Sequence, residues 1–80
     1  MYLSIIDVKP QSNNKLILTF ENKEKRLFDM SSYLEIGKFS ELKNAKIFNS
    51  VKVKFDTIEW SNNLDLDPEF LYDKSVKIKD

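Results

Sequence analysis

Apolar and polar residues alternate along much of this chain, and clusters of turn residues interrupt the alternation. Residues 3–9 form a β-rich run ended by Pro10, and its apolar set changes phase at Ile5-Ile6. Either both faces of this first strand are covered or a bulge re-aims it. The polar cluster Gln11-Ser12-Asn13-Asn14 follows as a loop. Leu16, Leu18 and Phe20 then alternate with Lys15, Ile17 and Thr19, the period-two pattern of a strand with one face on a core. Residues 21–24 supply a reversal, with Asn22 suited to left-handed backbone, and residues 25–28 return as a third strand.

Residues 29–37 predict a short helix. Asp29 or Ser32 caps it, Ser32 and Glu35 fit a capping box, and Gly37 is placed to terminate it. Phe39 and Leu42 are expected to fold back on the sheet. A second short helix over residues 44–49, capped by Asn44, turns Ile47 and Phe48 inward. Val51, Val53 and Phe55 alternate with Lys52 and Lys54, and Ile58 and Trp60 resume the pattern after a turn at Asp56-Thr57. That is a hairpin with its lysines on the wet face. Asp67 then reads as an N-cap with Pro68 at the first helical position, and Leu66 is placed to staple against Leu71. Residues 74–80 alternate again at Val76 and Ile78, and either pair at a sheet edge or fray as a tail. Neighbouring strands joined by short reversals imply an α+β fold: an antiparallel sheet, built as a three-strand meander plus a hairpin, with two or three short helices on one face.

Composition narrows the chemistry. Eighty residues suffice for one domain, taken here as residues 1–80. The absence of Cys and His removes thiolate nucleophiles, the usual zinc ligands and the commonest general base. One glycine cannot build a phosphate-cradling loop. Thirteen basic and thirteen acidic side chains cancel, so net charge does not favour nucleic acid or an anionic membrane. No apolar run approaches the roughly 18 residues of a membrane span, and the N-terminus lacks a basic leader pattern. A soluble, cytoplasmic protein is expected.

Several groupings invite a functional reading. Trp60 fits a core position better than a stacking platform, and its ring nitrogen then needs an acceptor. Asp65, Asp67, Glu69 and Asp73 straddle a predicted helix start, where acids are favoured by unpaired N–H groups, and their spacing fails the calcium-loop pattern. Glu35, Glu41, Glu59 and Glu69 show no spacing that pairs two of them, and helix capping accounts for Ser31 and Ser32. No enzyme, metal site or cofactor is therefore expected. The stretch from Asp56 to Asp73 holds acids and no base, which makes Glu59, Asp65, Glu69 and Asp73 the candidate contact surface for a partner protein. The alternative is a basic outer sheet face of Lys15, Lys25, Arg26, Lys52 and Lys54 against phosphate, although nucleic acid is the less expected partner. Residues 3–9 or 76–79 at a sheet edge also allow a homodimer by strand pairing.

Phe28-Asp29-Met30-Ser31, Leu34-Glu35-Ile36-Gly37-Lys38-Phe39, Leu42, Phe48 and Val51 stand in a recognisable order, followed by Ile58-Glu59-Trp60-Ser61-Asn62, Asp65-Leu66 and Pro68-Glu69-Phe70-Leu71-Tyr72. In that order and spacing the chain resembles domain-of-unknown-function family 2442 over about residues 5 to 73. The resemblance implies a compact prokaryotic α+β protein without an established activity. Some members look like N-terminal domains joined to a helix-turn-helix unit, and others look like one half of a two-gene cassette. It thus implies a small non-catalytic regulatory or protein-interaction module of a prokaryotic or phage-type small-gene cassette. This chain stops soon after the family core, so a helix-turn-helix unit is not expected in it. The chain departs from the family pattern at two turns: Lys23 stands where glycine is usual, and the glycine usual near Asn63 is missing, so looser turns are expected there.

Overall fold

Strand β1 (Ile5–Gln11) turns through Ser12–Asn14 into β2 (Lys15–Phe20), which returns as β3 (Lys25–Asp29). This is the predicted meander in a computed structural model that describes residues 3–78. A second unit follows, with helix α1 (Ala45–Phe48), strands β4 (Lys52–Lys54), β5 (Thr57–Glu59) and β6 (Asp65–Leu66), helix α2 (Pro68–Lys74) and a last short strand β7 (Val76–Lys77). The strands form two antiparallel sheets, β1-β2-β3-β7 and β4-β5-β6, so the fold is α+β as the sequence predicts. The Ile5 N–H donates to the Asp56 carbonyl at 3.0 Å and ties the start of β1 to the tip of the β4–β5 hairpin.

The alternation in β2 is realised in full. Leu16, Leu18 and Phe20 are buried, Phe28 lies opposite Leu16 in β3, and Ile5 lies opposite Phe20 in β1. The phase change at Ile5-Ile6 is a bulge: the register slips between Ile5 and Asp7, Ile5 is buried and Ile6 is exposed. Met30, Leu34, Leu42, Phe48, Ile58, Trp60 and Leu71 close the core over this face. Leu42 and Phe39 do fold back, Leu42 fully buried and Phe39 half-buried against the cluster. The Asn44 side chain caps α1 by accepting from the Lys46 and Ile47 N–H groups, and Asp67 caps α2 by accepting from the Glu69 N–H at 2.9 Å behind Pro68.

Four local expectations are corrected. Strand β1 does not stop at Pro10 but runs to Gln11, because β1 is an edge strand where a residue without N–H is tolerated. Residues 29–37 form no single helix. Ser31–Tyr33 and Gly37–Lys43 are separate 3₁₀ segments, and Gly37, at φ 48°, opens the second rather than ending a helix. One or two turns cannot repay α-helix nucleation, so tight three-residue bonds such as Tyr33 N–H to the Met30 carbonyl satisfy the backbone while Met30 and Leu34 anchor it. In the 21–24 reversal the left-handed residue is Lys23, at φ 73°, and not Asn22, whose side chain instead accepts from the Glu24 N–H at 3.0 Å. The β4–β5 turn falls on Phe55-Asp56, one residue earlier than expected, since Lys54 pairs with Thr57.

At the two turns where looser backbone is expected, Lys23 and Asn63 adopt positive φ, at 73° and 68°. Lys23 carries a Cβ in a region where asparagine and glycine are the cheaper residues. Lys23→Gly is therefore expected to stabilise the fold by about 0.5–1 kcal/mol in urea unfolding, with a smaller gain for Asn63→Gly. A drop in the urea midpoint for Lys23→Gly contradicts this account of the turn.

Candidate functional site

Part of the acidic set, Glu59 and Asp65, and part of the basic set, Lys52 and Lys54, converge on the sheet β4-β5-β6. Across β4, β5 and β6 the register lines up Lys52, Glu59 and Asp65 on one face, and Val53, Ile58 and Leu66 on the other. The Lys54 ammonium lies 3.0 Å from the Glu59 carboxylate, whose side chain is 16% exposed. Members of the two predicted surfaces thus neutralise each other here. Glu69 and Asp73 lie apart from this row on α2, one turn from each other, with Asp73 facing the neighbouring Lys74 at 3.8 Å. Exposed pairs of that kind contribute little to stability.

Arg26 leaves the proposed basic face altogether. It pairs with buried Leu18, on the core side of β3, whereas Lys15 and Lys25 belong to the opposite, outer side. Its guanidinium donates to Ser75 Oγ at 2.7 Å and to the Ser75 carbonyl at 2.8 Å, forms an ion pair with Glu24, and lies 4.1 Å over the Tyr72 ring. The Tyr72 hydroxyl donates to Glu24 at 2.9 Å, and the Tyr72 ring meets Phe20 edge-on. Burial pushes the Glu24 carboxyl up, but the hydrogen bonds from Arg26, Tyr72 and Asn22 together outweigh it and hold the carboxyl below its ordinary value of 4.5. The Glu24 hydrogen bond, followed by burial, raises the Tyr72 phenol above its ordinary 10.0. This network fastens the end of α2 and the start of β7 to β3. Sequence spacing does not disclose it, because its members lie 48 and 49 residues apart.

Glu35, Glu41 and Asp29 have partners of their own. Glu35 pairs with Lys43, Glu41 accepts from Asn62 at 3.0 Å, and Asp29 accepts from the Ser31 hydroxyl and N–H, which lower its carboxyl below the ordinary value. Among the described residues no group of three or more acids, His or Cys is placed to hold a metal ion. No helix among them is long and apolar enough to cross a membrane.

Trp60 is 1% exposed and donates from its ring nitrogen to the Phe48 carbonyl at 3.1 Å, as the sequence requires of a core tryptophan. Asn63 closes the corner beyond it, donating its N–H to the Trp60 carbonyl at 3.0 Å while Trp60 donates to the Leu64 carbonyl. The corner and capped helix of residues 58–72 belong to the ordered set of motifs that carries the family resemblance. The model of the family described as a protein of unknown function (DUF2442) matches residues 5–77. The chain belongs to the DUF2442 family. No curated protein and no solved structure matches it significantly. Within this DUF2442 chain, the conspicuous surface feature lies at the far end of the same small sheet.

Phe55 there is 91% exposed and sits at φ 58°. With Lys54, Asp56, Thr57, Glu59 and Asp65 it borders a shallow concavity of about 280 Å³. The alternation in β4 predicts Phe55 on the inner side with Val53. Val53 does pack against the core, but the turn residue that follows is thrown outward. The signal available in the sequence was the run Lys54-Phe55-Asp56-Thr57, which can close as a two-residue turn one position earlier than the phase of β4 suggests.

Proposed function

We propose that this protein is a non-catalytic binding module whose contact surface for a partner protein is the tip of the β4–β5 hairpin. The observation that carries this is Phe55. A bulky side chain at positive φ costs about 1 kcal/mol or more, and glycine or asparagine satisfies the same turn more cheaply. An aromatic ring that is 91% exposed recovers none of that cost in the free protein. Both penalties are offset once the ring enters an apolar pocket on another molecule, and buried aromatic anchors dominate the energetics of such contacts. Glu59 is paired with Lys54, so Asp65 is the part of the expected acidic surface that favours a basic group on the rim of the partner's pocket, and Glu69 and Asp73 lie outside the contact. A regulatory role in a small-gene cassette is compatible with this mode of action.

Capture from the native host with the parent chain and with Phe55→Gly tests it. Glycine relieves the backbone at φ 58°, so the variant is expected to fold at least as stably as the parent. A partner held through this ring loses about 2 kcal/mol or more, roughly 30-fold in affinity, on loss of Phe55. Reversal of Glu69 and Asp73 is expected to leave the same partner bound. An unchanged set of captured proteins with Phe55→Gly removes the hairpin tip as the contact.

A further inference from the structure

The outer face of the four-stranded sheet carries a pattern that the proposed hairpin contact does not use. Cross-strand pairing orders its side chains in three parallel rows. The central row is Lys9, Ile17, Leu27 and Val76. One flanking row is Asp7, Thr19 and Lys25, and the other is Gln11, Lys15 and Asp29. Ile17 and Leu27 are half-buried yet stand outside the core cluster, and Val76 is 70% exposed. An apolar stripe thus crosses three adjacent strands with nothing among the core residues packed on it.

The geometry points to a second copy of this chain as the occupant, stacked face to face about a two-fold axis that runs along the apolar row. That operation places Ile17, Leu27 and Val76 over their own counterparts and exchanges the flanking rows. Lys25 then faces Asp29 of the other copy, twice by symmetry, Asp7 faces Gln11, and Thr19 faces Lys15. Only Lys9 meets its own kind, at the rim, where a long side chain turns into solvent beside Asp7. The strands of the two sheets remain nearly aligned, as sandwich packing requires. Charge complementarity therefore selects this occupant without any partner of unknown sequence.

Size sets the strength. Three strands about 4.8 Å apart and about 17 Å long, with the two-residue β7 beside them, give a face of roughly 300 Å², well below the roughly 800 Å² per partner of a stable complex. The dimer is accordingly weak and reversible, populated at high micromolar to millimolar concentration. Because this face is distinct from the hairpin tip, either proposal survives the failure of the other.

Sedimentation equilibrium from about 10 μM to about 1 mM reads the association directly, over the range expected for an interface this small. The parent is expected to show a concentration-dependent monomer–dimer equilibrium, and Leu27→Lys, at a half-buried position outside the core cluster, to remain monomeric with an unaltered far-ultraviolet spectrum. Lys25→Asp sets like charges opposite each other twice and is expected to weaken the dimer about tenfold or more. A parent that stays monomeric throughout the range overturns the proposal. So does a dimer indifferent to Leu27→Lys or to Lys25→Asp.

Discussion

Trp60→Ala is expected to remove a large share of the stability of this protein. A domain of this length holds about 4–12 kcal/mol in total, and deleting a buried tryptophan costs about 3–5 kcal/mol through lost burial and the cavity left behind. The site has little means of collapse. Trp60 is 1% exposed among Phe20, Phe28, Ile58 and Leu71, which are themselves fully buried, and the Phe48 carbonyl loses its donor. Circular dichroism in urea and on heating should show a midpoint lower by about 15–30 °C, with part of the population unfolded at 25 °C. Trp60→Phe separates the two contributions. It keeps most of the volume, orphans the Phe48 carbonyl, and is expected to cost about 1–2 kcal/mol beyond the small cavity. If Trp60→Ala unfolds within about 1 kcal/mol of the parent, the indole is not a core residue and the packing described above is wrong.

Arg26→Met is expected to have the second largest effect, and its signature is a changed pH profile. The side chain keeps its apolar stem beside Tyr72 but surrenders both hydrogen bonds to Ser75, a loss of about 2–3 kcal/mol for bonds from a charged donor. The Glu24 carboxyl, lowered in the folded protein, adds stability that is fully present above its ordinary value of 4.5 and is lost as pH falls through the lower folded value. The Tyr72 phenol, raised in the folded protein, adds stability that is fully present below 10.0 and is lost as pH rises through the higher folded value. The parent should therefore hold a stability plateau between these limits and decline on both sides. With Arg26→Met the acid-side decline should flatten, because Glu24 loses the cation that favours its charged form. Unfolding midpoints in urea at a series of pH values from about 3 to 11 measure both arms of that linkage. An acid arm equally steep in the parent and in Arg26→Met contradicts the network.

How far each feature could be read in advance depends on the range of the interaction that decides it. Capping is local, so Asn44 and Asp67 were legible from their own neighbourhoods and do cap α1 and α2. Period-two burial is likewise local, so β2 and its core face were plain. The capping-box pattern at Ser32 and Glu35 misled, because a segment this short is shaped by where Met30 and Leu34 are anchored and not by helix propensity. Phe55 misled for a related reason: a one-residue difference in turn position reverses which side a strand-end residue takes.

By itself the sequence determined the α+β class, the strand meander, the helix caps, the tryptophan-centred core and the want of thiol or imidazole chemistry, all of which follow from residue type and short-range period. Only the tertiary structure decided that Arg26 turns inward to hold Tyr72 and Ser75, that Lys54 meets Glu59, and that Ile17, Leu27 and Val76 align across three strands. The physical reason is register. Pairings such as Arg26 with Lys77, or the Ile5 N–H with the Asp56 carbonyl, are set by how strands slide and close against one shared core, and no local pattern of side chains carries that information.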